Sequence, residues 1–263
     1  MSLLRAWFAG IPAYLWSGWG AMASLFLLLA VWEGVASLYG NLILPDPVAT
    51  FAKLRELAAA DAAWSELAVS ARRVLVGLTL AIVTGSLLGL AAGVSMTASM
   101  MARPLVTVLL GMPPIAWLVL AMIWFGVGDG TPIFTVFIAC FPVVFSAALQ
   151  GARTLDHHLK DMATMFRLPL RMKLVDLYLP HVISYLFPAW INALGTSWKV
   201  VVMAELLSAN DGIGAALAVS RSHLDMESTL AWIAVVLLAL LAVEYLLLEP
   251  IKREVERWRA VEA

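Results

Sequence analysis

"VLVGLTLAIVTGSLLGLAAGVS", residues 74–95, runs for 22 positions without a charged side chain. Coiled at about 1.5 Å per residue, it covers roughly 30 Å, the thickness of a bilayer's hydrocarbon core. Its apolar residues do not alternate with polar ones, as barrel strands require. In hydrocarbon a lone segment can satisfy its backbone only as a helix. This reading decides the fold: the chain is all-α and crosses a membrane.

Working outward, five further apolar runs have spanning length: 19–38, 104–126, 132–150, 182–207 and 229–248. About six transmembrane helices are therefore expected in one membrane domain over 1–263, with 1–40 as N-terminal segment and first span, and 72–250 as core. The chain is 62% hydrophobic and 13% charged, with mean hydropathy +0.91. Soluble domains carry about 25% charge, so a water-facing shell is excluded. The net charge of −1 argues against a nucleic-acid partner. The single cysteine, Cys140, excludes a disulfide framework and a thiolate cluster, and is expected to pack as a small hydrophobe. The first run contains Glu33 and lacks a small-x-small cleavage site, so it reads as a retained anchor.

Lys and Arg set the expected orientation. With the N-terminus inside, eleven fall on cytoplasmic segments (Arg5, Arg103, Arg153, Lys160, Arg167, Arg171, Lys173, Lys252, Arg253, Arg257, Arg259). Five fall outside: Lys53, Arg55, Arg72, Arg73 and Arg221. Both termini are thus expected in the cytoplasm, with Arg72 and Arg73 weighing against the majority. Residues 48–70 become an outer amphipathic helix, with Phe51, Leu54, Leu57 and Ala58 on one face.

Proline and glycine punctuate the spans. Pro113 and Pro114 in "GMPPIAW" must kink or interrupt the third, because they remove backbone donors. Irregular backbone at depth is tolerated beside a cavity, so Met112, Pro113 and Pro114 are candidates to line a pathway. Gly85, Gly89 and Gly93, every four residues, form a face for close helix approach. Lys199 is costly inside the fifth span, and Glu205, six residues on, lies about 240° round the helix and cannot neutralise it. Lys199 either snorkels or lends the pathway a positive field for an anion. Trp198, Met203 and Glu205 join it as pathway candidates, while Glu33 and Glu244 read as interhelical hydrogen-bonders or interface residues.

Between the fourth and fifth spans lies a polar island, "KDMATMFRLPLRMKLVDLYLP" at 160–180. As a helix over 155–166, it places Leu155, Leu159, Met162 and Phe166 on one stripe. Pro169 should stop that helix at Leu168 and open a second, striped by Leu170, Leu174 and Leu177. Pro180 marks the approach to the next span. A plain chain reversal needs only a few residues, not thirty. Two short amphipathic helices joined by a bend therefore offer a cytoplasmic tip for a partner over Asp161 to Leu170.

These residues resemble the "EAA" loop of permease subunits of binding-protein-dependent ABC importers. Asp161-Met162-Ala163 stands at its E-A-A, Arg167 at its glycine, and Leu177-Tyr178-Leu179-Pro180 at its closing I-x-L-P. "LPDPVAT" (44–50), "RRVLVGLTLAIVTGSLLGL" (72–90), the stretch 104–142 and "SWKVVVMAELLSANDGIGAAL" (197–217) are similar to the nitrate/sulfonate/taurine-type branch. The resemblance covers about residues 40 to 255. It implies an importer-permease (MetI-like) fold with a coupling-helix loop over 151–181, in a bacterial inner membrane. It also implies a pathway for a small anionic or polar solute delivered by a periplasmic or lipid-anchored solute-binding protein. Asp161, Met162, Ala163, Phe166, Arg167, Leu168, Pro169 and Leu170 would dock on a dimer of cytoplasmic ATPase subunits that hold ATP and Mg. A second permease copy, as a homodimer, and membrane lipid complete the expected partners. Asp161 shortens the family glutamate, and Arg167 replaces a glycine that normally ends the first helix; Pro169 is expected to preserve the bend.

The chain has no P-loop, H-E-x-x-H or G-x-S-x-G string. No catalytic residue, cofactor or metal is expected in it, and ATP hydrolysis would belong to the partner. "GVGDG" (126–130) matches the G-x-G-D string of intramembrane aspartyl proteases, but no second aspartate falls inside a span. An outer turn suits it better. An ion-coupled secondary transporter is the rival reading, although midplane carboxylates and inverted repeats are not evident.

Overall fold

The computed structural model describes residues 2–41, 43–155 and 157–248. Among them the chain is helical, with no strand. The helices are α1 (Ser2–Tyr39), α2 (Pro47–Ala59), α3 (Asp61–Val94), α4 (Met96–Gly111), α5 (Pro114–Phe125), α6 (Gly130–Arg153), α7 (His157–Met165), α8 (Leu170–Met172), α9 (Leu179–Ser208), α10 (Ile213–Ser222) and α11 (Met226–Ala242). Four stretches are long and apolar enough to cross a membrane: Met22–Tyr39, Asp61–Val94, Gly130–Arg153 and Met226–Tyr245. Two bent pairs, α4 with α5 and the stretch Val175–Ser208 with α10, raise the number to as many as six if each pair is one span.

Contacts divide the chain into a smaller unit, residues up to 59 with 220–234, and a larger one, 60–219 with 235 onward. In the smaller unit the Asp46 carboxylate caps α2, accepting from Ala49 N–H at 2.6 Å. Pro47 takes the first helical position, where a missing N–H is harmless. Trp32 Nε1 donates to the Pro45 carbonyl at 3.0 Å, anchoring that corner to α1. The expected amphipathic helix over 48–70 is divided at Ala60, whose extended backbone separates α2 from α3.

The larger unit is built on α3, α6 and α9. Small residues set its geometry: Gly77 abuts Val136, Gly85 abuts Val144, Gly89 abuts Ala148 and Gly93 abuts Ala152. The sequence offset is constant and both series ascend, so α3 and α6 run parallel and in register. An added Cβ at Gly89 would lie 2.7 Å from the Ala148 Cβ, and one at Gly77 would lie 2.8 Å from the Ile133 carbonyl. Without a hydrophobic drive in lipid, such close approach lets van der Waals packing hold helices together. α9 runs antiparallel to both. Cys140 Sγ meets the Ala193 carbonyl at 3.4 Å, and Trp190 Nε1 meets Ser86 Oγ at 3.4 Å.

The third span departs most from a straight helix. α4 and α5 meet at 94° across Met112 and Pro113. Pro113 supplies no N–H, and its own backbone is extended (φ −59°, ψ 140°). Arg153 Nη1 donates to Ser99 Oγ at 2.5 Å, fixing the start of α4 beside the end of α6. Thr131 Oγ1 donates to the Gly126 carbonyl at 2.7 Å, fixing the end of α5 beside the start of α6. The pair therefore traverses the length of α6 as an elbow and does not re-enter on one side. Legs of about 24 and 18 Å at a right angle have a diagonal of about 30 Å, enough to cross.

Candidate functional site

The polar island folds as an exposed turn between α6 and α9. Helix α7 closes with a Schellman motif: Leu168 N–H donates to the Ala163 carbonyl at 3.0 Å, and Arg167 N–H to the Thr164 carbonyl at 3.1 Å. That pair of bonds requires a left-handed residue at Arg167, and its φ is 47°. The helix thus ends at Met165, three residues before the stop expected from Pro169. Arg167 itself makes the turn, in a conformation that favours glycine.

The second half of the island also departs from expectation. Instead of a separate helix, α8 passes through a π-helical stretch, Lys173–Tyr178, directly into α9. Pro180, within the first turn of α9, cannot donate to the residue four before it. A wider i→i+5 turn accommodates that loss. Ala163 and Leu155 are buried, whereas Met162, Met165 and Phe166 are exposed, the last two at 85% and 74%. The stripe expected over Leu155, Met162 and Phe166 is therefore divided between an inner and an outer face. Asp161, Arg167 and Pro169 are exposed, and Leu168 is half-buried. The side chains of Leu159 and Leu170 lie outside the described residues.

Of the pathway candidates, Met112, Pro113 and Pro114 sit at the elbow, and Pro113 is exposed. Lys199 is exposed on α9 and has no acidic partner among the described residues. Asn192, Thr196, Lys199 and Met203 follow at i, i+4, i+7 and i+11, so three polar side chains share one accessible face. Asn192 and Thr196 escaped the sequence reading, although this spacing would have found them. Trp198 and Glu205 belong elsewhere: both are enclosed by neighbouring helices, at 8% and 0% exposure. For Glu205 the reason is electrostatic.

Glu205 lies at the centre of an ion cluster at the Asp129 end of α6. Arg73, 1% exposed, donates from Nη1 to Glu205 Oε1 at 2.9 Å and to the Asp211 carbonyl at 2.7 Å. Its Nε donates to Asp129 Oδ1 at 2.7 Å, and its Nη2 pairs with the Asp211 carboxylate. Arg72 pairs with Asp129 from the surface. The second Glu205 oxygen accepts from Ser70 Oγ at 2.7 Å and from Gly214 N–H at 3.1 Å. Gly212 N–H donates to Glu66, and Ile213 N–H to Ser70 Oγ at 2.9 Å. Desolvating charges is expensive, and only such full pairing offsets it. Burial pushes the Asp129 carboxyl up, but the Arg73 and Arg72 guanidiniums prevail and hold it below the ordinary aspartate range. Gly212 has φ 96°, and an added Cβ would lie 2.5 Å from Glu205 Oε1. The cluster clamps the α9–α10 link and the head of α6 onto α3.

Residues 77–249 match the family model described as binding-protein-dependent transport system inner membrane component. The taurine transport system permease protein TauC of Escherichia coli (strain K12) is 30% identical over 245 residues, covering 90% of this chain and 89% of that protein. The putative aliphatic sulfonates transport permease protein SsuC of the same organism is 30% identical, covering 81% of each. The nitrate import permease protein NrtB of Synechococcus elongatus is 26% identical, covering 72% of this chain and 71% of that protein.

Proposed function

The chain belongs to the binding-protein-dependent transport system inner membrane components, a permease of an ABC importer in the nitrate/sulfonate/taurine branch; on that premise we propose that its exposed turn over Asp161–Leu170 is gripped by a cytoplasmic ATPase. The observation that carries this is a row of unsatisfied apolar side chains, Met162, Met165 and Phe166, beside the exposed Asp161. A contiguous apolar patch on a polar segment marks a protein contact. The turn is stiffened by its Schellman bonds and runs without a break into α9, so force applied there reaches a span. ATP and Mg belong to the ATPase pair, whose closure would move the two turns of a permease homodimer.

The solute reading follows from charge. Lys199, Asn192 and Thr196 offer one cation and polar groups along an accessible face, suited to a small anion or zwitterion delivered by an outer binding protein. Relatives named for taurine, aliphatic sulfonates and nitrate fit that chemistry. The reading places both termini in the cytoplasm of a bacterial inner membrane; Arg72 and Arg73, the outer charges that weigh against it, are engaged by carboxylates. Family membership sets aside the ion-coupled secondary transporter.

The test is reconstitution with the ATPase in proteoliposomes. Asp161→Lys, and separately Gly-Gly in place of Leu168-Pro169, should abolish ATP-driven uptake and ATPase co-purification while leaving membrane insertion intact. Normal uptake by either variant refutes the docking role.

A further inference from the structure

Between α4 and α6, near the Arg153 end, lies a cleft of about 590 Å³. Its floor is cationic: Arg103 from α4 and Arg153 from α6, with Gln150 one turn before Arg153. Its other end is mainly apolar, lined by Val106, Leu110, Phe145 and Leu149, with Thr107 and Ser146 turning their hydroxyls back onto their own helices. No carboxylate is among the lining residues.

The two guanidiniums differ in freedom. Arg153 is aimed by its bonds to Ser99 Oγ (2.5 Å) and Met96 Sδ (3.2 Å), which leave other N–H donors unused. Arg103 is exposed, and neither its guanidinium nor the Gln150 side-chain amide has a hydrogen-bond partner among the described residues. Two like charges facing one cleft repel unless an anion lies between them, and guanidinium pairs oxyanions in a bidentate fork. From Arg103 to Leu110 is two helical turns, about 10 Å of largely apolar wall.

We propose that this cleft is a binding site for an oxyanion carrying a short apolar tail, its head between Arg103 and Arg153 and its tail against Leu110 and Phe145. Thr154, also lining the cleft, meets His181 Nε2 at 3.2 Å. The occupant therefore reaches the root of the exposed turn where α6 ends, one side-chain contact from the start of α9. A solute bearing a sulfonate and a phospholipid headgroup share this chemistry. The inference rests on the permease reading only in assigning the cleft to the cytoplasmic half of the path.

The test uses the full chain in nanodiscs, titrated calorimetrically with butanesulfonate. In phosphatidylcholine discs the wild type should bind saturably, and Arg103→Gln and Arg153→Gln should each weaken binding by about tenfold. Arg103 has no partner to lose, so its variant keeps the fold even if Arg153→Gln does not. In phosphatidylglycerol discs, a loss of apparent affinity of about tenfold in wild type identifies a lipid headgroup as resident. Unchanged affinity identifies the free solute; either result supports the site. Absence of saturable binding in phosphatidylcholine, or equal binding by wild type and Arg103→Gln, overturns it. That failure is distinct from failure of ATP-driven uptake, which needs the exposed turn and is measured without these variants.

Discussion

Arg167 and Arg73 are the two residues that most constrain the chain, and they do so by different physics. The left-handed backbone at Arg167 costs an L-residue about 1–2 kcal/mol, so Arg167→Gly should stabilise the turn by about 1 kcal/mol. Limited proteolysis of the turn should slow accordingly in that variant, and unchanged cleavage would contradict the assignment. Arg73→Ala should do the reverse, leaving Glu205 and its neighbours without a countercharge. Breaking a buried pair costs about 3–5 kcal/mol, read as a collapse of the thermal midpoint in detergent. Asp129 adds a pH signature. Its folded pKa is lowered, so its stabilisation is fully present above the ordinary aspartate value, about 3.9, and fades as pH falls below it. Thermal stability should decline on that acid side, and Asp129→Asn should reduce the decline; an equal decline in the variant would remove Asp129 from the account. At this scale the sequence was partly legible. The arginine in place of a glycine at 167 is visible in a string, but its left-handed backbone is not. The partner of Arg73 lies 132 residues away, and only the polar spacing Glu66, Ser70, Arg73 along one face hints that something charged must meet it.

Elements were read more reliably than their joints. The apolar runs all become helices because hydrocarbon leaves them no alternative, and the Gly85–Gly89–Gly93 face packs where close approach was expected. Gly89→Ala should cost about 1–3 kcal/mol by overpacking against Ala148 and the Phe145 carbonyl. Gly195→Ala, where nothing stands within 4 Å of the added carbon, should not destabilise. Equal thermal midpoints for the two variants would show that the face carries no load. The interruption at Pro113–Pro114 was legible as a break, but its 94° angle was not. Two missing donors release the backbone without saying where neighbouring helices will direct it. The extent of α8 was misread for a related reason: a π-helical stretch absorbs Pro180, and nothing local in the string marks that solution.

For the whole molecule, membrane residence and a count of four to six crossings followed from composition and run length. What composition could not say is which faces are spent on internal packing. Glu205 looked available and is consumed, whereas Lys199 looked costly and stays free. Lys199→Gln should lower ATP-driven uptake of an anionic solute by about tenfold without shifting the thermal midpoint; uptake at the wild-type rate would remove Lys199 from the pathway. The in-register contact of α3 with α6, pinned at one end by the arginine cluster, has a mechanical corollary. Glycine-tight rods cannot shear past one another without lifting apart, so the pair transmits motion as a single oar. Over the 24 residues of α6, a stroke of about 10° at one end sweeps the other through about 6 Å, roughly the width of a small hydrated anion.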